Sequence, residues 1–392
     1  MTRKDSRAQV LILAVAQALF QTASVLVLTI GSLAAGQISG RPELLTAPIA
    51  AALLGTAAAT FPASALMARI GRRSGFILGA MLGVLGGMVA AGGMWLHSLA
   101  MLCAGTFLAG AYQGFAQFYR FAASEVADDA FRPRAISWVL AGGIVAAFLG
   151  PMLARAGSTW LAPLYTGSFL LLSCTSLAAA GILLFLRVPA AASGPTEADK
   201  ARSWLEMVSQ PVYLVALFGA VTGAGVMMLA MTATPIAMAH HHHSLGAAAS
   251  VIQFHVLGMF VPSFFTGSLI ARFGVLKVMT AGVLILAGHI VISLSGVGFG
   301  SFALALVCLG VGWNFLYVGG TTLLTRAYTP AEKSRAQATN DMTIFAVGFV
   351  GSLASGAMLQ GLGWQMMNLV LLPWLGLALL VLVWFGLRKP GD

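Results

Sequence analysis

Long apolar stretches, separated by short polar segments, run along the whole chain of 392 residues. Each stretch supplies the roughly 20 apolar residues that a helix needs to cross the hydrocarbon core of a bilayer. The apolar positions are continuous, whereas a membrane-spanning strand would alternate them with polar ones. The pattern predicts an all-α membrane protein with twelve transmembrane helices, at residues 9–35, 45–68, 76–96, 98–122, 135–157, 162–186, 212–235, 248–271, 277–296, 300–325, 337–362 and 365–387.

The longest polar interruption divides the predicted helices into six and six. Residues 187–211 carry Pro, Gly, Ser and charges of both signs, which is typical of a linker with a short surface helix. The segment predicts a cytoplasmic linker between an N-terminal six-helix bundle over residues 1–186 and a C-terminal six-helix bundle over residues 212–392.

The two halves repeat parts of each other. The segment ALMARIGRR at 65–73 is echoed by SLIARFGVL at 268–276, an offset of 203 residues. Arg134-Ala135 is echoed by Arg335-Ala336 at an offset of 201 residues. A nearly constant offset indicates duplication of a six-helix unit, and such internal repeats are common in secondary transporters.

Charge is scarce and unevenly placed. Charged residues make up 8% of the chain, against about 25% in a typical soluble domain. Nineteen of the 21 basic residues lie at the termini or after even-numbered spans, so the positive-inside rule predicts that both termini are cytoplasmic. The net charge of +10 therefore reports orientation in the membrane, and we expect no nucleic-acid partner.

Motifs of enzymes are missing from the sequence. It contains no Walker loop, no H-E-x-x-H and no G-x-S-x-G. We therefore expect no enzymatic activity and no resident cofactor, and any transport should be driven by a gradient of an ion or solute.

The loop after the second span resembles that of a known family. It reads Arg69-Ile70-Gly71-Arg72-Arg73, and together with the six-plus-six organisation it resembles the major facilitator superfamily. The resemblance implies the major facilitator fold with two pseudo-repeat bundles. An acidic residue usually precedes the first Arg in that family, where this chain has Ala68. The interaction that this acid makes in the family must therefore be weaker in this chain, or another residue must supply the negative charge.

Sulfur and imidazole side chains cluster in spans seven and eight. Met227 and Met231 are one helical turn apart, as are His255 and Met259, and both pairs are predicted in the outer half of the membrane. Ionisable side chains inside a span usually face a functional cavity. Thioethers and imidazole suit Cu(I), so these four residues are candidate metal ligands. Methionine also fills irregular gaps in apolar cores, and packing is the alternative interpretation.

Two further groups are candidates for roles in metal capture or ion coupling. His240, His241, His242 and His243 are predicted in the outer loop between spans seven and eight, where a His-rich tract can gather metal ions or be a solvated repeat. Asp341, the one acid placed inside a span, could carry a coupling proton or pair with a basic residue such as Arg335.

The sequence around these residues is similar to a narrower branch of the superfamily. M-x-x-x-M in the seventh helix followed by H-x-x-x-M in the eighth resembles the CcoA-like copper importers. That resemblance implies copper as the transported substrate, uptake across the inner membrane, and supply of copper to cbb3-type cytochrome c oxidase assembly. It also implies the lipid bilayer and copper chaperones as partners.

Two alternatives remain open. The first is transport of an organic solute such as riboflavin or a drug, with the Met and His side chains as packing. The second is a copper sensor that binds the metal without moving it. Polar side chains would line a cavity in either kind of transporter, and those in the spans include Gln17, Gln21, Gln113, Gln117 and Asn314.

Overall fold

The computed structural model describes residues 3–127, 135, 138–139, 141–188, 202–329 and 332–388. Within these ranges the chain forms helices and no strand. After a 3-10 turn at Pro42–Leu44 is set aside, the helices are α1 Arg3–Ile38, α2 Ala47–Ile70, α3 Arg72–Trp95, α4 Leu99–Ala116, α5 Tyr119–Val126, α6 Gly142–Gly157, α7 Thr166–Leu183, α8 Trp204–Val208, α9 Pro211–His240, α10 Leu245–Phe260, α11 Ser263–Phe273, α12 Val275–Ser295, α13 Phe299–Leu324, α14 Lys333–Leu369 and α15 Leu372–Arg388.

Most of these helices are long and apolar enough to cross a membrane. The described part of the chain has ten such segments, and α6 is a shorter apolar helix. The last segment, Arg335–Arg388, contains most of α14 and all of α15, and α14 is interrupted at Gly363, where φ is 73° and ψ is 171°. The predicted all-α membrane fold is confirmed.

The chain forms two compact units. The first comprises Met1–Ala192 and Met238–Gln253, and the second Ser193–Ala237 and Phe254–Asp392. The predicted bundle boundaries at 186 and 212 stay a prediction, and positions 189–201 of the predicted linker lie outside the described residues.

Small residues allow the helices of the first unit to pack closely. There α1 packs against α6 and α7, and α4 packs against α2 and α3. A Cβ on Gly110 of α4 would lie 1.8 Å from the carbonyl oxygen of Ala52 in α2. Only glycine fits at such a backbone approach, which is how membrane helices gain packing energy without large side chains.

Helix α13 organises the second unit. It packs extensively against α12, and α9 runs antiparallel to it, with Ala216 against Gly320 and Gly223 against Leu316. Helix α10 approaches α13 from another side, so that a Cβ on Gly310 would lie 2.5 Å from the carbonyl oxygen of His255. The candidate ligands on α9 and α10 are thus both carried by neighbours of α13.

The repeated loops after spans two and eight have the same backbone. Gly71 between α2 and α3 has φ 83° and ψ 159°, and Gly274 between α11 and α12 has φ 88° and ψ 152°. This combination is essentially restricted to glycine. The backbone match supports the duplication indicated by the 203-residue offset, whereas Arg134 of the second echo lies outside the described residues.

An acid from another helix replaces the one missing at Ala68. Glu125 of α5 forms an ion pair with Arg72 at 2.8 Å, and Arg72 also lies over the ring of Phe118, 5.5 Å from its centroid. Arg73 donates a hydrogen bond to the carbonyl of Leu184 at the end of α7. The positive charge of Arg72 in the loop is therefore paired by Glu125, which lies 53 positions farther along the chain.

Helix α8 is the predicted short surface helix, and it is held at its start. Ser203 and Glu206 form a capping box at its start. Just before it, the guanidinium of Arg202 makes two hydrogen bonds to the carboxylate of Glu332, at 2.8 and 2.6 Å. The Arg202 partner, together with the backbone N–H of Thr329, holds the pKa of Glu332 well below its usual range.

Candidate functional site

His255 is fully buried in α10 and has one free nitrogen. Its Nδ1 lies 2.9 Å from the carbonyl oxygen of Leu306 in α13. A carbonyl can only accept, so Nδ1 carries the hydrogen and Nε2 carries the lone pair in the neutral ring. Nε2 is buried and has no hydrogen-bond partner among the described residues. In this tautomer the lone pair of Nε2 is unused, so it can accept a hydrogen bond or bind a metal ion.

The helix registers bring Met227 to the level of His255. Gly223 faces Leu316 of α13, and Met227 lies one turn farther along α9, about 6 Å toward its far end. Because α9 is antiparallel to α13, that turn lies opposite about residues 309–312 of α13. Gly310, in this turn, is the glycine against which the His255 backbone packs.

The other two candidate ligands differ in exposure. Met231 lies one turn beyond Met227, and both are nearly inaccessible, with 1% and 3% of their surfaces exposed. Met259 is partly buried, one turn from His255 on α10. The methionines of α9 are therefore enclosed in protein in this conformation, as either ligands or packing residues would be.

The eighth span is broken just beyond Met259. Helix α10 ends at Phe260 and α11 begins at Ser263, with Pro262 between them. Asn314 of α13 closes the break by donating to the Met259 carbonyl at 2.8 Å and to Ser263 Oγ at 2.6 Å. Its amide oxygen accepts from Thr266 at 2.7 Å. The polar atoms of Asn314 are thus used in hydrogen bonds within the protein.

A second buried histidine, His289 of α12, was not among the predicted site residues. Its Nδ1 lies 2.9 Å from the carbonyl oxygen of Ala305, and its Nε2 lies 3.0 Å from Oδ1 of Asn368. Ala305 and Leu306 are consecutive, so the two histidines bind adjacent carbonyls of α13. An ionisable residue within the predicted span 277–296 was a usable signal.

The remaining predicted residues lie apart from His255. His240, the last residue of α9, and the next two histidines are exposed, and His243 is partly buried. The turn that they form belongs to the first unit. Across the described part of the chain, no three His, Cys, Asp or Glu side chains form a group that could hold a metal. A capture role for the tract stays a prediction.

Asp341 lies nine residues into α14, near the cytoplasmic end in the predicted topology. It is partly buried, and its Oδ1 accepts a hydrogen bond from Asn340 at 3.1 Å. A role in ion coupling stays a prediction for this residue.

The first unit contains a cavity with aromatic and amide walls. Its lining includes Phe20 and Ser24 of α1 and Tyr112 and Gln113 of α4, and its empty space, including the open mouth, is ≈ 310 Å³. The rings of Phe20 and Tyr112 meet edge to face, with centroids 5.1 Å apart. Thr56 lies 3.3 Å from Oε1 of Gln113 and orients the amide. The lining therefore combines aromatic faces with one side-chain amide.

Comparison with known proteins identifies the family. The family model described as Major Facilitator Superfamily matches residues 11–261 and 216–392, which together cover nearly the whole chain. The chain belongs to the major facilitator superfamily. Two solved members share its fold at 15% sequence identity: the nucleoside transporter NupG, with a TM-score of 0.70 over 97% of this chain and 98% of that one, and the human organic anion transporter MFSD10, with 0.68 over 96% and 99%.

Closer relatives exist by sequence. The riboflavin transporter RfnT of Brucella anthropi is 39% identical over 380 residues, covering 96% of both chains. The uncharacterized MFS-type transporter YdeG of Bacillus subtilis is 28% identical over 359 residues, covering 87% of this chain and 83% of its own. This major facilitator protein is therefore a multi-pass membrane transporter, and the copper branch is not among these relatives.

Proposed function

We propose that this transporter carries an organic solute of the riboflavin class by alternating access. The observation that supports the proposal is the 39% identity to a riboflavin transporter over 96% of both chains. An identity that extends through both units concerns the whole transport machinery and not one shared motif. Of the two transport functions considered from the sequence, the organic-solute alternative has this support, and copper import does not.

The cavity of the first unit has the chemistry that such a solute needs. Riboflavin presents a flat isoalloxazine ring with an imide edge that both donates and accepts hydrogen bonds. Phe20 and Tyr112 supply aromatic surface, and the Gln113 amide supplies a donor and an acceptor.

Uptake of radiolabelled riboflavin by proteoliposomes tests the proposal. Gln113→Leu keeps the volume of the side chain and removes its hydrogen bonds, so we expect the KM to rise about tenfold. Gln117→Leu is the matched control, because Gln117 is partly buried four residues away and does not line the cavity. Absence of saturable flavin uptake by the unaltered protein would reject the proposal.

Copper import is the second candidate, and one observation favours it. The buried Nε2 of His255 has no partner among the described residues and lies at the level of Met227. A neutral imidazole and thioethers could hold Cu(I) in a two- or three-coordinate site that still releases it. The predicted supply of cbb3-type oxidase belongs to this candidate.

The same vesicles decide between the candidates when radioactive copper replaces the flavin. Met259→Leu removes only the sulfur and nearly preserves volume, so a packing role leaves both fluxes unchanged. Copper uptake that is lost in Met259→Leu while the protein stays folded would establish the copper function. We also propose a bacterial inner-membrane location with both termini cytoplasmic, supported by the distribution of basic residues.

A further inference from the structure

Both ring nitrogens of His289 face hydrogen-bond acceptors. Nδ1 lies 2.9 Å from a backbone carbonyl, that of Ala305, which cannot donate. Nε2 lies 3.0 Å from Oδ1 of Asn368. A neutral imidazole has one N–H and one lone pair, so it can satisfy only one of these acceptors.

The amide of Asn368 is held in the orientation that presents its oxygen. Its Nδ2 donates to the carbonyl of Trp364 at 2.8 Å. Rotating the amide would give His289 a donor but would turn Oδ1 against the Trp364 oxygen. With Asn368 in place, every contact is satisfied only when His289 carries two hydrogens, as an imidazolium. His255 contrasts with it, since its second nitrogen has no acceptor.

Few other groups near His289 can ionise. Helices α12, α13, α14 and α15 carry no Asp, Glu, Lys or Arg in their outer halves, and the charged residues of these helices and of α11 lie toward the opposite end: Arg272, Lys277, Lys333, Arg335, Asp341 and Arg388. Helix α13 carries one titratable thiol in this region, that of Cys308, one turn after Ala305. Among the described residues, His255 is a further titratable side chain near His289, bound to the adjacent carbonyl of α13.

Asn368 belongs to a short helical segment, residues 364–369, that follows the interruption at Gly363. This segment lies over the ends of α12 and α13. Trp364 packs against Phe302 with ring centroids 5.0 Å apart, and Gln365 donates to the carbonyl of Leu294 at 3.1 Å. Asn368 is completely buried. The His289–Asn368 contact is thus one of three that attach the 364–369 segment to its neighbours.

We propose that His289 is a proton-binding site of the transporter and that its proton holds the 364–369 segment on α12 and α13. With the proton bound, Nε2–H donates to Asn368 and the segment is attached. When the proton leaves, the Nε2 lone pair faces Oδ1, and the contact becomes repulsive. The segment then loosens at the outer end of the second unit, where a solute or its coupling proton would enter. The device is independent of which cargo is carried.

Hydrogen exchange of the 364–369 segment tests this in the unmodified protein without any cargo. After correction for the intrinsic chemical rate, we expect the segment to exchange at least tenfold faster as pH rises through the titration of His289. His289→Gln should abolish this pH dependence. Asn368→Asp places a carboxylate beside the imidazolium and should move the midpoint up by about 1–3 pH units. Helix α7, which carries no Asp, Glu, His, Lys or Arg, serves as the internal reference segment.

Each result bears on the proposal. A pH-independent exchange rate in the unmodified protein would overturn it, as would a pH dependence that survives in His289→Gln. An unchanged midpoint in Asn368→Asp would also contradict it. Failure of riboflavin uptake with the expected exchange behaviour would reject only the proposed cargo, since exchange is measured without it.

Discussion

The side chain of Asn314 shows how one residue can stabilise an irregular membrane helix. Pro262 has no N–H to continue the helix, so α10 ends at Phe260 and carbonyl groups of its last turn are left without helical donors. Asn314 binds the Met259 carbonyl and Ser263 across the break, and Thr266 binds Asn314 in turn. Non-helical backbone is tolerated at membrane depth when protein groups satisfy it in this way. Asn314 is therefore a structural residue of the broken helix.

Replacing Asn314 should destabilise the protein. Asn314→Leu leaves the Met259 carbonyl and Ser263 buried without their partner, at a cost of about 1–3 kcal/mol. We expect a lower thermal midpoint in detergent. Thr322→Val is the control on the same helix, because its hydroxyl bonds only to the carbonyl of Val318 one turn away. Equal midpoints for the two variants would contradict a role for Asn314 in closing the break.

Helix α8 illustrates how a short element depends on tertiary contacts. Five residues cannot form a stable helix in isolation, since the first turn is costly to nucleate. The capping box satisfies its first N–H groups, and Arg202 attaches the preceding residue to Glu332, which is 2% exposed. Arg202 also donates to the carbonyl of Ala327 at 3.1 Å. The position of α8 is therefore set by the start of α14.

The Arg202–Glu332 contact should make stability pH-dependent. The hydrogen bonds from Arg202 lower the pKa of Glu332 in the folded protein, so its contribution is complete above the usual carboxyl pKa of about 4.3 and is lost as pH falls through the lowered value. Glu332→Gln should lower the thermal midpoint at pH 7, and the difference from the unmodified protein should shrink in acid. Glu206→Gln, which leaves the Glu332 carboxylate in place, is the control. A difference that is constant from pH 7 to the acid limit would contradict this account.

At the scale of the whole molecule, two units carry related loops at equivalent places. Gly71 and Gly274 share a backbone conformation that other residues rarely adopt, and no atom lies within 4 Å of where a Cβ would be placed on either. The requirement for glycine is therefore conformational and not a matter of space. Its recurrence 203 residues apart supports descent of both halves from one six-helix unit.

Alanine at either loop glycine should destabilise the protein through the backbone alone. We expect Gly71→Ala and Gly274→Ala each to cost about 1–3 kcal/mol in the free energy of unfolding. Gly181→Ala is the control, because it also has open space but lies inside α7, where alanine is favoured over glycine by about 1 kcal/mol. Chemical unfolding in mixed detergent measures the three. Loop variants as stable as the Gly181 variant would disprove the conformational requirement.

The sequence by itself determined the all-α membrane fold and the duplicated loops. These follow from hydropathy over about 20 residues and from local glycine and arginine patterns, which lipid thickness and backbone sterics control directly. It also singled out His255, because an ionisable side chain is conspicuous in an apolar span. The spacing of the Met and His residues could not distinguish metal ligands from packing residues, because a separation of one helical turn suits either role.

Only the tertiary structure decided the partners of these residues. Glu125 replaces the acid missing at Ala68 from 53 positions away, and Asn368 meets His289 across 79 positions. The pairing of the helices and their register depend on contacts between residues that are far apart in the sequence. A short stretch of sequence does not contain this information. The tautomer of His255 was decided in the same way, because it follows from the carbonyl group of Leu306 in α13, whose direction the folded backbone sets.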